Sequence, residues 1–289
     1  NQEQVLKLIK YFTTVDSVGT LLTDYERHAM ALMTLGLNPY NTNGVNYIEK
    51  IVEKFDGKQF GDVNEDNDDI FALIVLKNAG YTKEEKMIKD DIAFILERQK
   101  ENGSWDESID MTGAGIEALS VFNENTEVKN ALVKAKKFLK DKQNIDGSFG
   151  DNASSNAWAL EGIYALNETP DDWIKNNSTP LDYFATNQDT DGGIKVEDLK
   201  NKIWQTAYVL SIYSGKTWNE IMHKFEKPKT IPEIKDAKTN KLINTPAPKK
   251  EITIKQAPIK ESKTEATYKE EQITAVATET VTTIPPPEE

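Results

Sequence analysis

Asp62-Val-Asn64-Glu65-Asp66-Asn67-Asp68-Asp69 places five acidic side chains in eight residues, directly ahead of the apolar run Ile70-Phe71-Ala72-Leu73. Carboxylates crowded in this way raise one another's pKa, so a proton could be held there and given to a substrate. The same residues have calcium chemistry, because Asp62-x-Asn64-x-Asp66 opens like an EF-hand loop. That loop then fails, with Asn67 where glycine is needed at the sixth place and Leu73 where glutamate is needed at the twelfth. A calcium site of another kind at Asp62, Asn64 and Asp66 stands as an expectation, and no other metal-ligand set is legible. A structural reading competes with both. Asp68 or Asp69 could cap the helix that follows, since backbone N–H groups and the helix dipole favour acids at a first turn.

Other candidates follow the same pattern of a polar or aromatic residue at the start of an apolar helix. Asp110-Met-Thr112-Gly113 opens one such helix, and capping explains Asp110 as readily as ligand contact does. Trp158, Trp204 and Tyr208 fall early in later helices, where they could line the mouth of a cavity or pack in the core. His28, beside Arg27, has no serine or cysteine partner pattern and reads as structural.

Composition narrows the chemistry. The chain of 289 residues has no cysteine, which removes disulfides, thiolate zinc sites and thiol nucleophiles. The formal charge is −13, and Arg27 and Arg98 are the only arginines. That balance argues against a nucleic-acid groove and against a pocket that grips a diphosphate with guanidinium forks. No apolar run approaches a membrane span.

The elements that must position these residues are set by a repeat. Gln99-Lys-Glu-Asn-Gly103-Ser-Trp105, Gln143-Asn-Ile-Asp-Gly147-Ser-Phe149 and Gln188-Asp-Thr-Asp-Gly192-Gly-Ile194 are copies of one phrase, with a degenerate copy at Phe55-Asp56-Gly57. The glycines at 57, 103, 147 and 192 lie 46, 44 and 45 residues apart, a period that fixes the architecture. Two helices fit each period. Charge-rich helices near 45–55, 84–100, 127–143 and 181–187 lead into the phrase, each with one apolar stripe, and suit an outer layer. Helices near 24–36, 68–79, 110–121, 154–167 and 202–214 follow it, are richer in alanine and apolar residues, and belong inside. Within the phrase, glycine supplies a left-handed turn, the aromatic closes over helix ends, and glutamine can bond unpaired backbone groups. Gln99, Gly103, Trp105, Gln143, Gly147, Phe149, Gln188 and Gly192 are therefore structural.

The phrase Gln-x-x-x-Gly-x-Trp/Phe at this spacing resembles the repeat of squalene cyclases and protein prenyltransferases. The resemblance covers residues 1–225 and implies an all-α fold, an α/α toroid in which inner helices surround an apolar cavity and ligands sit at their N-terminal ends. It also implies a role for Asp66-x-Asp68-Asp69, which is similar to the Asp-x-Asp-Asp motif of class II terpene cyclases and would make Asp68 the proton donor. The motif's usual continuation is Thr-Ala, and here it is Ile70-Phe71. A prenyltransferase β subunit and a thioester domain each need a cysteine, so those relatives drop out. In length and repeat layout the chain resembles bacterial proteins with prenyltransferase/squalene-oxidase repeats related to the vitamin B12 carriers of transcobalamin type. Five inner helices are legible where closed toroids use about six, so the ring is either open or completed by a unit outside these residues.

Residues 226–289 differ in kind. They hold eight of the eleven prolines, eleven lysines against eleven acids and one aromatic, Tyr268. Such a segment cannot bury enough apolar surface to offset ordering, and it reads as a disordered tail. Two functions remain. The first is a non-catalytic toroid, extracellular or displayed at the cell surface, that binds a small or partly apolar ligand, a corrinoid-like one among the candidates, or a cell-surface protein through Asp68, Asp69, Asp110, Trp158, Trp204 and Tyr208. The alternative is a small cyclase-like enzyme using Asp68 with Asp66 and Asp69.

Overall fold

The repeat phrase acts as a staple between neighbouring helical hairpins. In the computed structural model, which describes residues 2–14 and 18–229, the Gln143 amide donates to Gly147 O at 3.0 Å inside its own loop and to Trp173 O at 2.6 Å in the next unit. Gln99 does the same with Gly103 O at 3.0 Å and Ala131 O at 2.8 Å. The glutamine therefore bonds backbone carbonyls of its own loop and of the next unit together. At 103 and 147 glycine is required twice over. Gly103 and Gly147 have φ of +92° and +83°, and a Cβ on either would strike backbone of the next outer segment, at Lys134 O or Ser178 O. Trp105 is wholly buried, and its indole N–H donates to Ile95 O at 2.7 Å. Burial of a ring this size contributes about 2–3 kcal/mol.

Helices α1 (Gln2–Thr14) to α11 (Trp218–Ile221) alternate in two layers, and the described residues contain no strand beyond isolated bridges. The inner layer is α2 (Leu22–Thr34), α4 (Asp66–Asn78), α6 (Ile109–Ser120), α8 (Ala153–Ala165) and α10 (Leu199–Ile212), each packed on the next. The outer layer is α3 (Tyr47–Val52), α5 (Lys86–Arg98), α7 (Thr126–Lys142) and α9 (Asp182–Thr186), and each of these packs on the inner helix that precedes it. The apolar patterns explain the sorting. In α4, Ile70 and all five residues from Ala72 to Leu76 have no exposed surface, whereas α7 buries only the stripe Val128, Ala131, Leu132, Ala135, Phe138 and Leu139. Small residues bring the inner helices close: a Cβ on Gly113 of α6 would lie 2.1 Å from Trp158 O of α8.

Helix bounds agree with the sequence reading to within a few residues, but two caps differ. Glu65 is the N-cap of α4, without a side-chain cap bond, and puts Asp66, Asp68 and Asp69 in the first turn. Ser108 caps α6 by accepting from Met111 N–H, so Asp110 is a first-turn acid and not the cap.

The interior also differs from the apolar cavity expected. The chain turns back after α10, and α11 enters the ring between the inner helices. Trp218 meets Phe71 of α4 (6.4 Å between centroids), Trp158 of α8 (4.7 Å) and Tyr208 of α10 (6.0 Å). Asn219 donates its N–H to Glu117 of α6 at 2.9 Å and accepts from Asn78 of α4 at 2.7 Å. Residues 222–227 then cross the C-terminal ends of α2 and α4, with His223 N–H on Met33 O and Phe225 N–H on Asn78 O. The segment 226–289 expected to be disordered lies, from residue 230 on, outside the described residues.

Candidate functional site

The repeats themselves disclose what the acidic run does. In three later repeats one side chain on the inner helix accepts the backbone N–H of the phrase's last residue: Thr112 from Trp105, Asn156 from Phe149 and Thr206 from Ile194. Asp69 occupies the corresponding place, accepting from Phe60 N–H at 2.7 Å. It is fully buried and faces the buried Asp91 of α5, and burial pushes its carboxyl up to about 6. Asp91 is driven well above the usual range by burial and by Asp69. Two facing carboxyls raised in this way can hold a proton between them.

Asp66 and Asp68 are also engaged. Asp66 is bridged to Arg98 Nε, and Arg98 further donates to Asn64 O. Asp68 accepts from Asp62 N–H at 2.9 Å; burial raises its carboxyl, and that backbone bond partly offsets the rise. Glu26 of α2 is wholly buried, and burial, then Asp68 and Asp69, push it well above the carboxylate range. The acidic run thus fastens the 60–64 loop to the start of α4. For the calcium expectation, Asp62 turns its carboxylate on Asn64 N–H and amide, while Asp66 faces Arg98. Among the described residues no group of three or more metal-binding side chains is placed to hold an ion.

The aromatic candidates do come together. Trp158 is buried and its ring lies 5.5 Å from Tyr208, which is 5.6 Å from Trp204; Trp204 is 52 % exposed at the start of α10. Burial raises the Tyr208 phenol, with Arg27 opposing and Asp110 adding to the shift, so Arg27, Asp110 and Tyr208 sense one another across the N-terminal rim. Burial raises the Asp110 carboxyl, and Ser155 opposes the rise. His28 stacks on Tyr47 at 4.4 Å and is buried.

Two features escaped the sequence reading. A groove of about 250 Å³ separates α2 from α10, lined by Arg27, Met30, Thr34, Ser211, Trp218 and Met222. Glu117 of α6 and Glu161 of α8 face each other below Trp218; burial pushes them up to about 8 and about 9. The capping box Thr217-x-x-Glu220, closed by Thr217 N–H to Glu220, was the signal that a further helix begins at Trp218. Only its inward course was hidden.

Alternating helical layers around a closed-packed interior, stapled by a glutamine-glycine phrase, define the class of the molecule as an α/α toroid. Residues 29–170 match the family model of the squalene-hopene cyclase C-terminal domain, a model from the terpenoid cyclase and prenyltransferase-like helical toroid family. No curated protein matches the chain. No helix among the described residues is long and apolar enough to cross a membrane.

Proposed function

We propose that the chain is a non-catalytic toroid that binds a small, partly apolar ligand in the groove between α2 and α10, displayed outside the cell. One contrast carries this reading. Asp66, Asp68 and Asp69 are each engaged by the protein's own backbone, cation or carboxyl, whereas the α2–α10 groove offers the apolar Met30, Met222 and Trp218 ring beside a single guanidinium, Arg27, one nitrogen of which pairs with Asp24 at 2.8 Å. A concave apolar surface with one convergent charge suits a ligand with an apolar body and one anionic group. Trp204 and Tyr208 extend an aromatic surface from α10 toward the rim. A corrinoid-like ligand is one candidate of suitable character. The location outside the cell rests on the proline- and threonine-rich composition of residues 226–289, which suits a stalk.

The test is a titration of the full chain with a corrinoid and, as a generic probe, with anilinonaphthalene sulfonate, read by calorimetry and tryptophan fluorescence. One saturable site is expected, lost in Ala31→Trp, which fills the groove. Absence of binding by both compounds, or unchanged binding to the variant, overturns the reading. The cyclase alternative draws on the family match and on the raised, half-buried carboxyl of Asp68. It expects a cyclised product from a polyprene by mass spectrometry, absent with Asp68→Asn.

A further inference from the structure

We infer that α11 is a removable plug, latched in the ring by the paired carboxyls of Glu117 and Glu161, and that its release opens the interior. The device is independent of what the α2–α10 groove binds. Five residues on from Asp69, Thr112, Asn156 and Thr206, the side chains that hold each phrase, the repeats carry Ile74, Glu117, Glu161 and Ser211. An acid therefore stands only on α6 and α8, beneath Trp218, and the repeat itself does not require it. Both carboxyls are wholly buried. Glu117 accepts from Asn219 N–H at 2.9 Å, its backbone carbonyl accepts from the Asn219 amide at 3.2 Å, and Glu161 accepts from Ser211 Oγ at 3.1 Å. The second oxygen of each carboxyl has no partner.

The groups around the pair supply no compensating charge. Glu220 of α11 raises both carboxyls, Glu117 raises Glu161, and α8 adds only the Tyr164 phenol, itself raised by burial and by Glu161. α4 offers the Asn78 amide, which donates to Asn219 and to Ile74 O, and α10 offers Ser211 and the Tyr208 ring. Arg27 of α2 lines the groove beside Trp218 but pairs with Asp24, and His223 lies by Gly36. Burial, opposed by the N–H groups of α11, pushes Glu117 up to about 8 and Glu161 up to about 9. At neutral pH the plug thus rests on an uncharged floor.

Ionisation of the pair sets two like charges in a closed space, where they need water. α6 and α8 do not part easily to admit it, since their backbones touch: a Cβ on Gly162 would lie 3.1 Å from Gly113 Cα. α11 is four residues long and follows Gly215, whose φ is +66° with nothing within 4 Å of a Cβ. Its outward movement hydrates both carboxylates and leaves every staple between hairpins intact. The seated state keeps two protons that the open state gives to water, so seating is favoured at low pH and lost as pH rises through about 8 to 9. Release uncovers Phe71, Trp158 and Tyr208 and joins the α2–α10 groove, walled by Trp218 and Met222, to the interior.

The experiment follows the full chain from pH 6 to pH 10 by far-ultraviolet circular dichroism, tryptophan emission and Nile red, a neutral dye indifferent to the protein's charge. As pH rises, tryptophan emission should move to the red and dye emission should climb while the helical signal holds. Trp218→Phe should lose the tryptophan shift and keep the dye transition, which assigns the shift to α11. Glu117→Gln/Glu161→Gln, checked for folding at pH 6, should give flat curves, because each amide oxygen still accepts the bond its carboxyl takes. Glu161→Gln alone should give a shallower transition, with one proton released in place of two. Probes that stay constant to pH 10, a helical signal lost at the same midpoint, or glutamine variants that track the parent overturn the inference.

Discussion

Glu117 and Glu161 are wholly buried on facing helices, and each has one oxygen engaged: Glu117 accepts from Asn219 N–H of α11, the plug of the ring, and Glu161 accepts from Ser211 Oγ of α10. Their carboxyls are raised above the ordinary value near 4.5, chiefly by burial, so the folded protein binds more protons than the unfolded chain between that value and about 8 to 9. Stability from these groups is complete below pH 4.5 and declines as pH rises through that window, by up to about 1.4 kcal/mol per pH unit for each group. Glu26 and Asp91 push in the same direction. The protein should accordingly melt several degrees lower at pH 8 than at pH 5. Glu161→Gln keeps the acceptor for Ser211 while remaining neutral, so it should raise the melting temperature at pH 8 and flatten the slope. Parallel curves of melting temperature against pH for parent and variant would show that this carboxyl is not the source.

At the scale of elements, the staples differ in what they hold. Gln143 is 6 % exposed and joins its own loop to the next unit, while Gln188 is exposed and bonds only within its loop. Removing a buried donor strands two acceptors, at about 1–3 kcal/mol in total, whereas an exposed amide is replaced by water. Gln143→Ala should therefore lower the urea midpoint clearly and Gln188→Ala within about 0.5 kcal/mol of the parent. Equal costs would refute a staple between units. These glutamines, their glycines and both helical layers were legible because the phrase repeats and the apolar period changes between leading and following helices. The role of Asp69 was not, since it shares a position with Thr112, Asn156 and Thr206, and three residue types doing one job leave no common letter to read. The pairing of Asp69 with Asp91, and of Glu117 with Glu161, depends on contacts between helices that no local pattern encodes.

For residues 2–14 and 18–229 as a whole, α11 changes how the repeats cooperate. An array of hairpins that touch only their neighbours unfolds in stages, because each interface can open without disturbing the others. Here a four-residue helix and its flanks reach every inner helix: Trp218 lies on Phe71, Trp158 and Tyr208, Asn219 joins Asn78 and Glu117, and Met222 lines the groove beside Met30. Opening any one interface then disturbs contacts with the plug, which couples the five helices into one transition. Trp218→Ala removes the shared, half-buried ring, at a cost below the ~3–5 kcal/mol of a fully buried aromatic. Asn219→Ala in the same chain removes the polar tie to α4 and α6. For the parent, urea unfolding followed by circular dichroism and by tryptophan fluorescence should give one midpoint. In the double variant the midpoint should fall and the two signals should separate, with α6 and α8 persisting longest, because Gly113 lets their backbones meet most closely. Coincident signals in the double variant would mean that contacts between neighbouring hairpins suffice for cooperativity and that the plug adds stability alone.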